Sequence, residues 1–201
     1  FMRSGYRFWG GRGLFLDEAI FGKQLDDDEV AHISGCRLQK PAKVKCDETS
    51  RMSPAYEFIK YSSVWANDRV GYGHGRGRLN SPQAWSVAWG TGKGEWMQID
   101  LQERLAISGV VTQGRPQQRY RQWVTQFKVM TSEDGKKWDW VECGRVWEGN
   151  HDANTKVYNT FEAPIYARFV RFVVEKWSNW PSMRAGVLMC DRPCLKGELV
   201  Y

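Results

Sequence analysis

Residues 166–175 decide the fold of this chain, and they read YARFVRFVVE. Aromatic and β-branched residues dominate the stretch, and these are the residue types that favour β-strands. Residues 123–132, WVTQFKVMTS, give a second strand whose side chains alternate between two faces. This strand ends at Glu133-Asp134-Gly135, a strong turn sequence. Since residues 137–143 follow the turn, the sequence predicts a hairpin over 123–143.

Working outward, three more stretches have the length and composition of strands: 95–101 (EWMQIDL), 107–112 and 183–190. The turn clusters GTGKG, EGNHDAN and SNWPS separate these segments, and no long helical period interrupts them. Many short strands at this spacing predict an all-β sandwich or barrel. Residues 1–35 differ, being rich in glycine and then acidic, with a weak helical pattern over 14–25. We expect them to form an extension.

The composition of the 201 residues excludes several classes of protein. Apolar residues make up 42% of the chain and tryptophan occurs 11 times, which excludes a disordered or collagen-like chain. No uncharged apolar run approaches the roughly 20 residues of a membrane span. The first residues, FMRSGYRFWGG, do not resemble a signal peptide and are consistent with a processed or trimmed chain. The net charge of +6 makes the protein basic.

The five cysteines predict disulfide chemistry better than metal binding. Their spacing fits no zinc template, and the three histidines lie far apart in the sequence. A disulfide between the start and the end of a domain would indicate an oxidising compartment, whereas free thiols would indicate the cytosol. Because the number is odd, one cysteine is left free or bonded to another chain. No cofactor is expected, and the sequence does not indicate a structural calcium ion.

Short stretches in a fixed order along residues 36–190 carry a family resemblance. They are Tyr61-Ser62-Ser63, Arg78-Leu79-Asn80, Ala84-Trp85, 95–101, 112–115, 132–135, Trp138, 147–150, Pro164-Ile165, 167–172, Trp177, Met183-Arg184 and Cys190. Together they resemble a discoidin domain, also called the coagulation factor V/VIII C-type domain. The resemblance implies a jelly-roll β-sandwich of the galactose-binding-like type with about eight strands. It divides the chain into an extension (1–35), a discoidin domain (36–190) and a tail (191–201).

The same resemblance implies a disulfide that joins the ends of the sandwich, here Cys36 to Cys190. The pairing of Cys46 with Cys190 or with Cys194 stays open. Retinoschisin-like proteins show a similar opening stretch, here Cys36 to Pro41, and a similar cysteine shortly after the one that ends the domain, here Cys194 after Cys190. In those proteins, extra cysteines join subunits. Cys46, Cys143 and Cys194 are therefore candidates for a second or an intersubunit disulfide.

In discoidin domains, loops at one end of the sandwich bind ligands, and segments 64–77, 86–94 and 114–122 correspond to them. The three segments hold six basic residues and one acidic residue, which is nearly the whole excess charge of the chain. Aromatic rings can stack on a sugar or enter a lipid interface, and arginine binds sulfate, carboxylate or phosphate. The candidate ligand-binding residues are Trp65, Arg69, Tyr72, His74, Arg76, Trp89, Lys93, Arg115, Arg119, Tyr120 and Arg121.

These residues predict a non-catalytic extracellular adhesion module that binds acidic glycans or anionic membrane surfaces. One alternative is a disulfide-linked, retinoschisin-like assembly subunit, which would self-associate or join a larger complex with protein partners. Another is an intracellular discoidin-like assembly module. Catalysis is not expected, because the sequence gives His74 and His151 no evident nucleophile or carboxylate partner. Nucleic acid is not an expected partner despite the basic charge. Asp100 and Arg171 are expected to form a buried or half-buried ion pair.

Overall fold

The computed structural model describes residues 44–46, 49–190 and 193–195, all within the unit Leu38–Tyr201. The expected extension 1–35, its predicted helix and Cys36 lie outside these residues. Over the described part of the chain, no helix is long and apolar enough to cross a membrane. The division of the chain at residues 35 and 190 stays a prediction.

The described residues form an all-β fold with four short 3-10 turns at Tyr56–Phe58, Trp65–Asn67, Gln118–Tyr120 and Val141–Gly144. The strands are β1 (Val44–Cys46), β2 (Thr49–Met52), β3 (Ile59–Tyr61), β4 (Trp85–Ser86), β5 (Trp96–Gln113), β6 (Trp123–Ser132), β7 (Asp139–Trp140), β8 (Trp147–Glu148), β9 (Val157–Ser178), β10 (Ser182–Cys190) and β11 (Pro193–Leu195). β1 and β11 pair as a separate ribbon, and the other nine form one antiparallel sheet in the order β2-β10-β5-β9-β6-β7. β3 joins this sheet at β5, β4 at β10, and β8 at β6.

Two long strands, β5 and β9, turn this single sheet into a sandwich. The first half of β5 pairs with β3 and with the end of β9, whereas its second half pairs with β10 and with the start of β9. The pairing register shifts between Asp100 and Leu105, where Gln102 has a φ of 70°. A break of this kind bends a strand and increases its twist. Both layers therefore share the same two strands.

The core lies between the layers and is built from the inward-facing side chains of the long strands. Its largest fully buried members include Trp85 of β4, Phe127 of β6 and Phe172 of β9. Phe127 and Phe172 lie on paired strands with ring centroids 5.9 Å apart. Buried aliphatic residues of β5 and β10, among them Ile107 and Val187, complete the cluster. The alternation seen in the sequence of residues 123–132 thus places one set of side chains in the core.

Most predicted strands correspond to observed strands, but residues 95–101 and 107–112 belong to one strand, β5, and residues 137–143 contain only the short β7 followed by a 3-10 turn. β6 has the predicted bounds, and β9 extends the predicted strand 166–175 at both ends. The predicted ion pair between Asp100 and Arg171 is wrong. Asp100 instead receives two hydrogen bonds from Arg168, at 2.8 and 2.9 Å. The cause is register, because Arg171 lies opposite Gln98 rather than Asp100. Its guanidinium lies over the rings of Trp96 and Trp138.

The expected disulfide between Cys36 and Cys190 is also wrong. Cys190 bonds to Cys46, and their Cα atoms are 5.3 Å apart, within the range that a disulfide can bridge. The register explains the choice, since Cys190 pairs with Thr49 at the start of β2, three residues after Cys46. Cys143 also takes part in a disulfide. Disulfides of this kind are typical of oxidising compartments.

Candidate functional site

The fold brings four connections together at one end of the sandwich, which we call the loop end. The first loop (residues 62–77) follows β3, the second (87–95) precedes β5, the third (114–122) precedes β6, and the fourth (179–181) joins β9 to β10. Strand pairing gathers them, because Ser182 lies opposite Ser86 and Trp123 lies opposite Ser178. The three predicted segments therefore do lie together. The fourth loop is an addition that the sequence analysis did not include.

The first loop is held by Asp68. Its Oδ2 atom accepts hydrogen bonds from the backbone N–H of His74 and from the ring Nδ1 of the same residue, both at 2.8 Å. The backbone hydrogen bond, followed by the ring contact, holds the pKa of Asp68 below its ordinary value. Gly73 passes so close, with a φ of 43°, that a Cβ there would overlap the carboxylate. A buttressing carboxylate of this kind fixes a flexible glycine-rich loop.

His74 therefore has the carboxylate partner that the sequence analysis did not find. The two residues are six positions apart, and only the turn through Gly73 brings them into contact. Among the described residues no hydroxyl or thiol side chain hydrogen-bonds to the His74 ring. The backbone carbonyl of His74 accepts a hydrogen bond from the N–H of Ser86 at 2.9 Å, which joins the first loop to β4. The contacts of His74 therefore stabilise the conformation of the first loop and hold it against β4.

Three indole rings from three different loops form a compact cluster. Trp89 and Trp180 are stacked, with centroids 5.2 Å apart and planes only 13° apart. Trp65 packs its edge against both, at 5.7 Å from Trp89 and 5.1 Å from Trp180. Nε1 of Trp180 donates a hydrogen bond to the carbonyl of Val87 at 2.9 Å. Stacked and edge-on arrangements are the favourable geometries for aromatic pairs, so the cluster is a rigid unit.

Large side chains of the first three loops are exposed at the loop end. The exposed fraction is 76% for Trp89, 67% for Tyr72, and 38% for both Val70 and Tyr120. Since one face of the Trp89 ring lies on Trp180, its exposure comes from the outer face and the edges. An exposed, fixed aromatic face is suited to stacking on the C–H face of a sugar ring or to entering a lipid interface.

The third loop is stiffened by its own arginines. Arg115 donates to the side-chain oxygens of Gln117 and Gln122 at 3.0 and 2.6 Å, and its guanidinium lies 4.1 Å from the ring centroid of Tyr120. Burial lowers the pKa of Arg115 from its ordinary value. Arg119 lies on the same ring at 4.8 Å and donates to the Tyr120 hydroxyl at 2.9 Å. These two positive charges are therefore engaged within the loop.

The other basic residues of the loop end divide into engaged and free cations. Lys93 forms an ion pair with Glu175 at 3.0 Å, and Arg76 donates to the carbonyl of Gly71 at 3.0 Å. Burial acts to raise the pKa of Glu175, but hydrogen bonds from Lys93 and Lys128 lower it overall. Within the described part of the chain, the exposed side chains of Arg69 and Arg121 have no hydrogen-bond or ion-pair partner.

A buried arginine anchors the base of the loop end. The side chain of Arg184, at the start of β10, is 2% exposed. It donates to four acceptors, which are the carbonyls of Gly114 at 2.8 Å, Ser81 at 2.9 Å and Ala153 at 2.7 Å, and Oδ1 of Asn154 at 2.9 Å. Burial lowers the pKa of Arg184 to about 10, so the group stays protonated at neutral pH. Its position fixes the start of the third loop.

Trp180 is the main residue that the sequence analysis missed. It lies in the cluster SNWPS, which indicates a turn and not a site. Only the pairing of β10 with β4 brings this turn against the second loop, and that pairing joins residues 96 positions apart. The one local signal that could have indicated Trp180 was a tryptophan between an asparagine and a proline in a short turn, where a large aromatic residue is unusual.

Comparison with known proteins identifies the family. Residues 59–187 match the F5/8 type C domain. The chain belongs to this family. Its F5/8 type C domain includes the first, second, third and fourth loops and the anchoring arginine, so every part of the loop end lies within the family match.

Curated relatives share the domain within longer chains. Lactadherin of Mus musculus is 30% identical over 185 residues, which cover 89% of this chain and 37% of lactadherin. Coagulation factor VIII of Sus scrofa is 26% identical over 162 residues, which cover 79% of this chain and 7% of factor VIII. The chain therefore spans well under half the length of either relative.

Solved structures share the fold. Wild-type discoidin II from Dictyostelium discoideum superposes with a TM-score of 0.55 at 19% identity, covering 71% of this chain and 59% of discoidin II. The family 32 CBM from C. perfringens NanJ, solved in complex with galactose, gives 0.54 at 14% identity, covering 70% of this chain and 99% of the module. At these identities the likeness is one of fold.

The described residues contain no group of three histidine, cysteine, aspartate or glutamate side chains placed to hold a metal ion. Asp68 and His74 form one titratable pair of the loop end and Lys93 and Glu175 form another, and Asp68 accepts two hydrogen bonds from the first loop. What the loop end offers to a ligand is an exposed aromatic face, free guanidinium groups and backbone held in place by internal contacts.

Proposed function

We propose that this F5/8 type C domain is a non-catalytic extracellular module that binds acidic glycans at its loop end. The observation that carries the proposal is the outer face of Trp89, which is 76% exposed and fixed by stacking on Trp180. An indole face matches a pyranose ring in size and supplies apolar contact without a large loss of side-chain freedom. The galactose-bound CBM of NanJ, a structural relative, supports a sugar as the ligand.

The charge of the ligand follows from the two free cations. Arg69 and Arg121 are exposed and carry no internal partner, whereas Arg115 and Arg119 are engaged with Tyr120. A guanidinium makes forked hydrogen bonds to a carboxylate or a sulfate, and these bonds are stronger than those between neutral groups. The domain should therefore prefer acidic sugars over neutral ones, and its binding should weaken as salt screens the charges.

The test is a glycan array that carries acidic glycans and their neutral counterparts. We expect Trp89→Ala to lower binding at least tenfold for every glycan that the wild-type protein binds. The double variant Arg69→Glu, Arg121→Glu should remove the preference for acidic glycans over neutral ones. Trp140→Ala is the matched aromatic control, because Trp140 is exposed on β7, away from the loop end. Wild-type binding that survives Trp89→Ala, or an absence of binding to any acidic glycan, would overturn the proposal.

A second candidate function is attachment to an anionic membrane. The observation that favours it is the exposure of Val70 and Tyr72 on the first loop and of Trp89 on the second, since several exposed tips on separate loops can enter a lipid interface together. Sedimentation with phosphatidylcholine vesicles, with and without phosphatidylserine, tests it. If membranes are the ligand, the double variant Val70→Ser, Tyr72→Ser should abolish sedimentation. If vesicles do not sediment the wild-type protein, this second function is excluded.

A further inference from the structure

An arginine stands on the outer face of the layer formed by β3, the start of β5, the end of β9 and β6. Successive side chains of a strand point to opposite faces of the sheet. Val170 and Phe172 of β9 lie in the core, so Arg171 between them points outward. It comes seven residues before Ser178, where β9 ends, which places it roughly 23 Å from the loop end. Arg171 is therefore separate from the candidate site described above.

The guanidinium of Arg171 is held between two indole rings. Its Cζ atom lies 4.0 Å from the ring centroid of Trp96 and 3.8 Å from that of Trp138. Contacts this short are stacking contacts, in which the planar cation lies against the ring. Nε is engaged as well, since it donates to Oε1 of Gln98 at 3.0 Å. The plane and the orientation of the guanidinium are thus fixed by its neighbours.

The two terminal nitrogens of Arg171 have no partner. Among the described residues neither nitrogen makes a hydrogen bond or an ion pair, and neither is buried. Two carboxylates of the same face are already used, because Asp100 pairs with Arg168 and Glu175 pairs with Lys128. Burial alone lowers the pKa of Arg171 from its ordinary value. What remains is a partly desolvated cation whose open edge carries two parallel donors.

The strand register determines the neighbours of this edge. Lys60, Gln98, Arg171 and Met130 lie opposite one another across β3, β5, β9 and β6. Lys60 is exposed and has no ion-pair partner in the described part of the chain. It lies two strands from Arg171, which is a distance of about 10 Å. Met130, on the other side, is half-buried and apolar. The row therefore presents two cations at one end and an apolar side chain at the other.

We propose that Arg171 is the centre of a docking site for an acidic segment of a partner protein. One aspartate or glutamate side chain of the partner binds the two terminal nitrogens of Arg171 edge-on. A neighbouring acidic residue of the segment faces Lys60, and an aliphatic one packs on Met130. Trp96 and Trp138 are positioning residues, because they fix the plane of the guanidinium. This site does not depend on the proposed function of the loop end.

The chemistry of the site favours a carboxylate carried by a peptide. Two parallel N–H donors match the two oxygens of a carboxylate, and such paired, charge-assisted bonds are the strong ones. The indole faces that a sugar ring would need are covered by the guanidinium of Arg171. A nucleic acid would need many phosphate contacts, whereas this row supplies two cations beside an apolar residue. Because the guanidinium is fixed before binding, little side-chain entropy is lost.

The experiment measures fluorescence anisotropy of two fluorescein-labelled peptides, DDDLL and its neutral match NNNLL, with the whole chain. We expect DDDLL to bind at least about fivefold more tightly than NNNLL. Arg171→Gln should remove that difference. Arg171→Lys keeps the charge but replaces the paired donors by one ammonium group, so it should keep only about a third of the preference. Arg51→Gln is the matched control, because it removes the same charge from β2 in the other layer.

A second measurement uses the unaltered protein, since a change at Arg171 also alters the packing of two indoles. In NMR spectra, DDDLL should shift the indole N–H resonances of Trp96 and Trp138, and NNNLL should not. Shifts confined to the tryptophans of the loop end would overturn the proposal. So would an effect of Arg171→Gln no larger than that of Arg51→Gln. A heparin-derived tetrasaccharide that shifts the Trp96 and Trp138 resonances when DDDLL does not would overturn a protein segment as the occupant.

Discussion

Replacing Arg184 by methionine should destabilise the protein more than any other charge deletion in the described part of the chain. Methionine is similar in length and fills the space, so the change removes the guanidinium without opening a large cavity. Arg184 is 2% exposed and donates to four acceptors, three of which are backbone carbonyls. The variant leaves those carbonyls buried and without a donor.

The magnitude follows from those carbonyls. A buried polar group left without its partner costs at least about 1 to 1.5 kcal/mol, so three carbonyls give a loss of about 3 to 4.5 kcal/mol. Removing the cost of burying a charge offsets part of this loss, which leaves about 3 kcal/mol. Since a domain of this size is stable by about 5–15 kcal/mol, the variant should still fold.

The measurement is urea unfolding followed by circular dichroism, at pH 7, for the wild type, Arg184→Met and a control. The control is Arg168→Met, because the side chain of Arg168 is 43% exposed and pairs with Asp100 at the surface. An exposed pair of this kind contributes about 0–1 kcal/mol. If Arg184→Met costs no more than Arg168→Met, the four hydrogen bonds do not hold the base of the loop end and the reasoning is refuted.

Three further perturbations test other parts of the structure. Because the pKa of Asp68 is lowered in the folded protein, its stabilising contribution is complete above its unfolded pKa near 4 and is lost as the pH falls through the folded value. Asp68→Asn should therefore reduce the fall in melting temperature between pH 5 and pH 2, and an unchanged profile would argue against the brace. Gly73→Ala places a Cβ against the Asp68 carboxylate and should lower the free energy of unfolding by about 2–3 kcal/mol. Gly90→Ala is the control, because Gly90 also has a positive φ but has open space around it, and it should cost only about 1 kcal/mol. Equal losses for the two variants in urea unfolding would contradict this geometry. The double variant Cys46→Ser, Cys190→Ser opens a loop with a sequence separation of 144 and should cost about 5 kcal/mol by chain entropy, measured by the same unfolding method. A loss below about 1 kcal/mol would show that this bond does not constrain the denatured chain.

Much of the sandwich could be predicted because strand composition and turn residues are local signals. The strand Trp123–Ser132 has its predicted bounds, since an alternating stretch meets a Glu-Asp-Gly turn. The wrong ion pair between Asp100 and Arg171 shows where local signals end. Which residues face each other depends on the register between β5 and β9, and this register contains a shift that no local pattern indicates.

The sequence predicted which segments form the loop end, but it did not predict which side chains contact each other there. Charge counting finds Arg115 and Lys93 as readily as Arg121, although the first two are engaged by neighbours within the fold. The role of Trp180 depends on the pairing of Ser182 with Ser86, which joins distant parts of the chain. The disulfide of Cys190 likewise follows from the register of β2 against β10. In each case the missing information was a long-range contact.

The disulfide between Cys46 and Cys190 determines how the module transmits mechanical load. It joins the two ends of the sandwich at the far end of β10, whose nine residues span roughly 26 Å from the loop end. Tension applied through the flanking chain would therefore pass across a covalent bond before it reached the sheet. If the loop end binds a ligand as proposed, a pull on that ligand would act along the length of β10 and its neighbours and would load many backbone hydrogen bonds at once instead of opening them one by one.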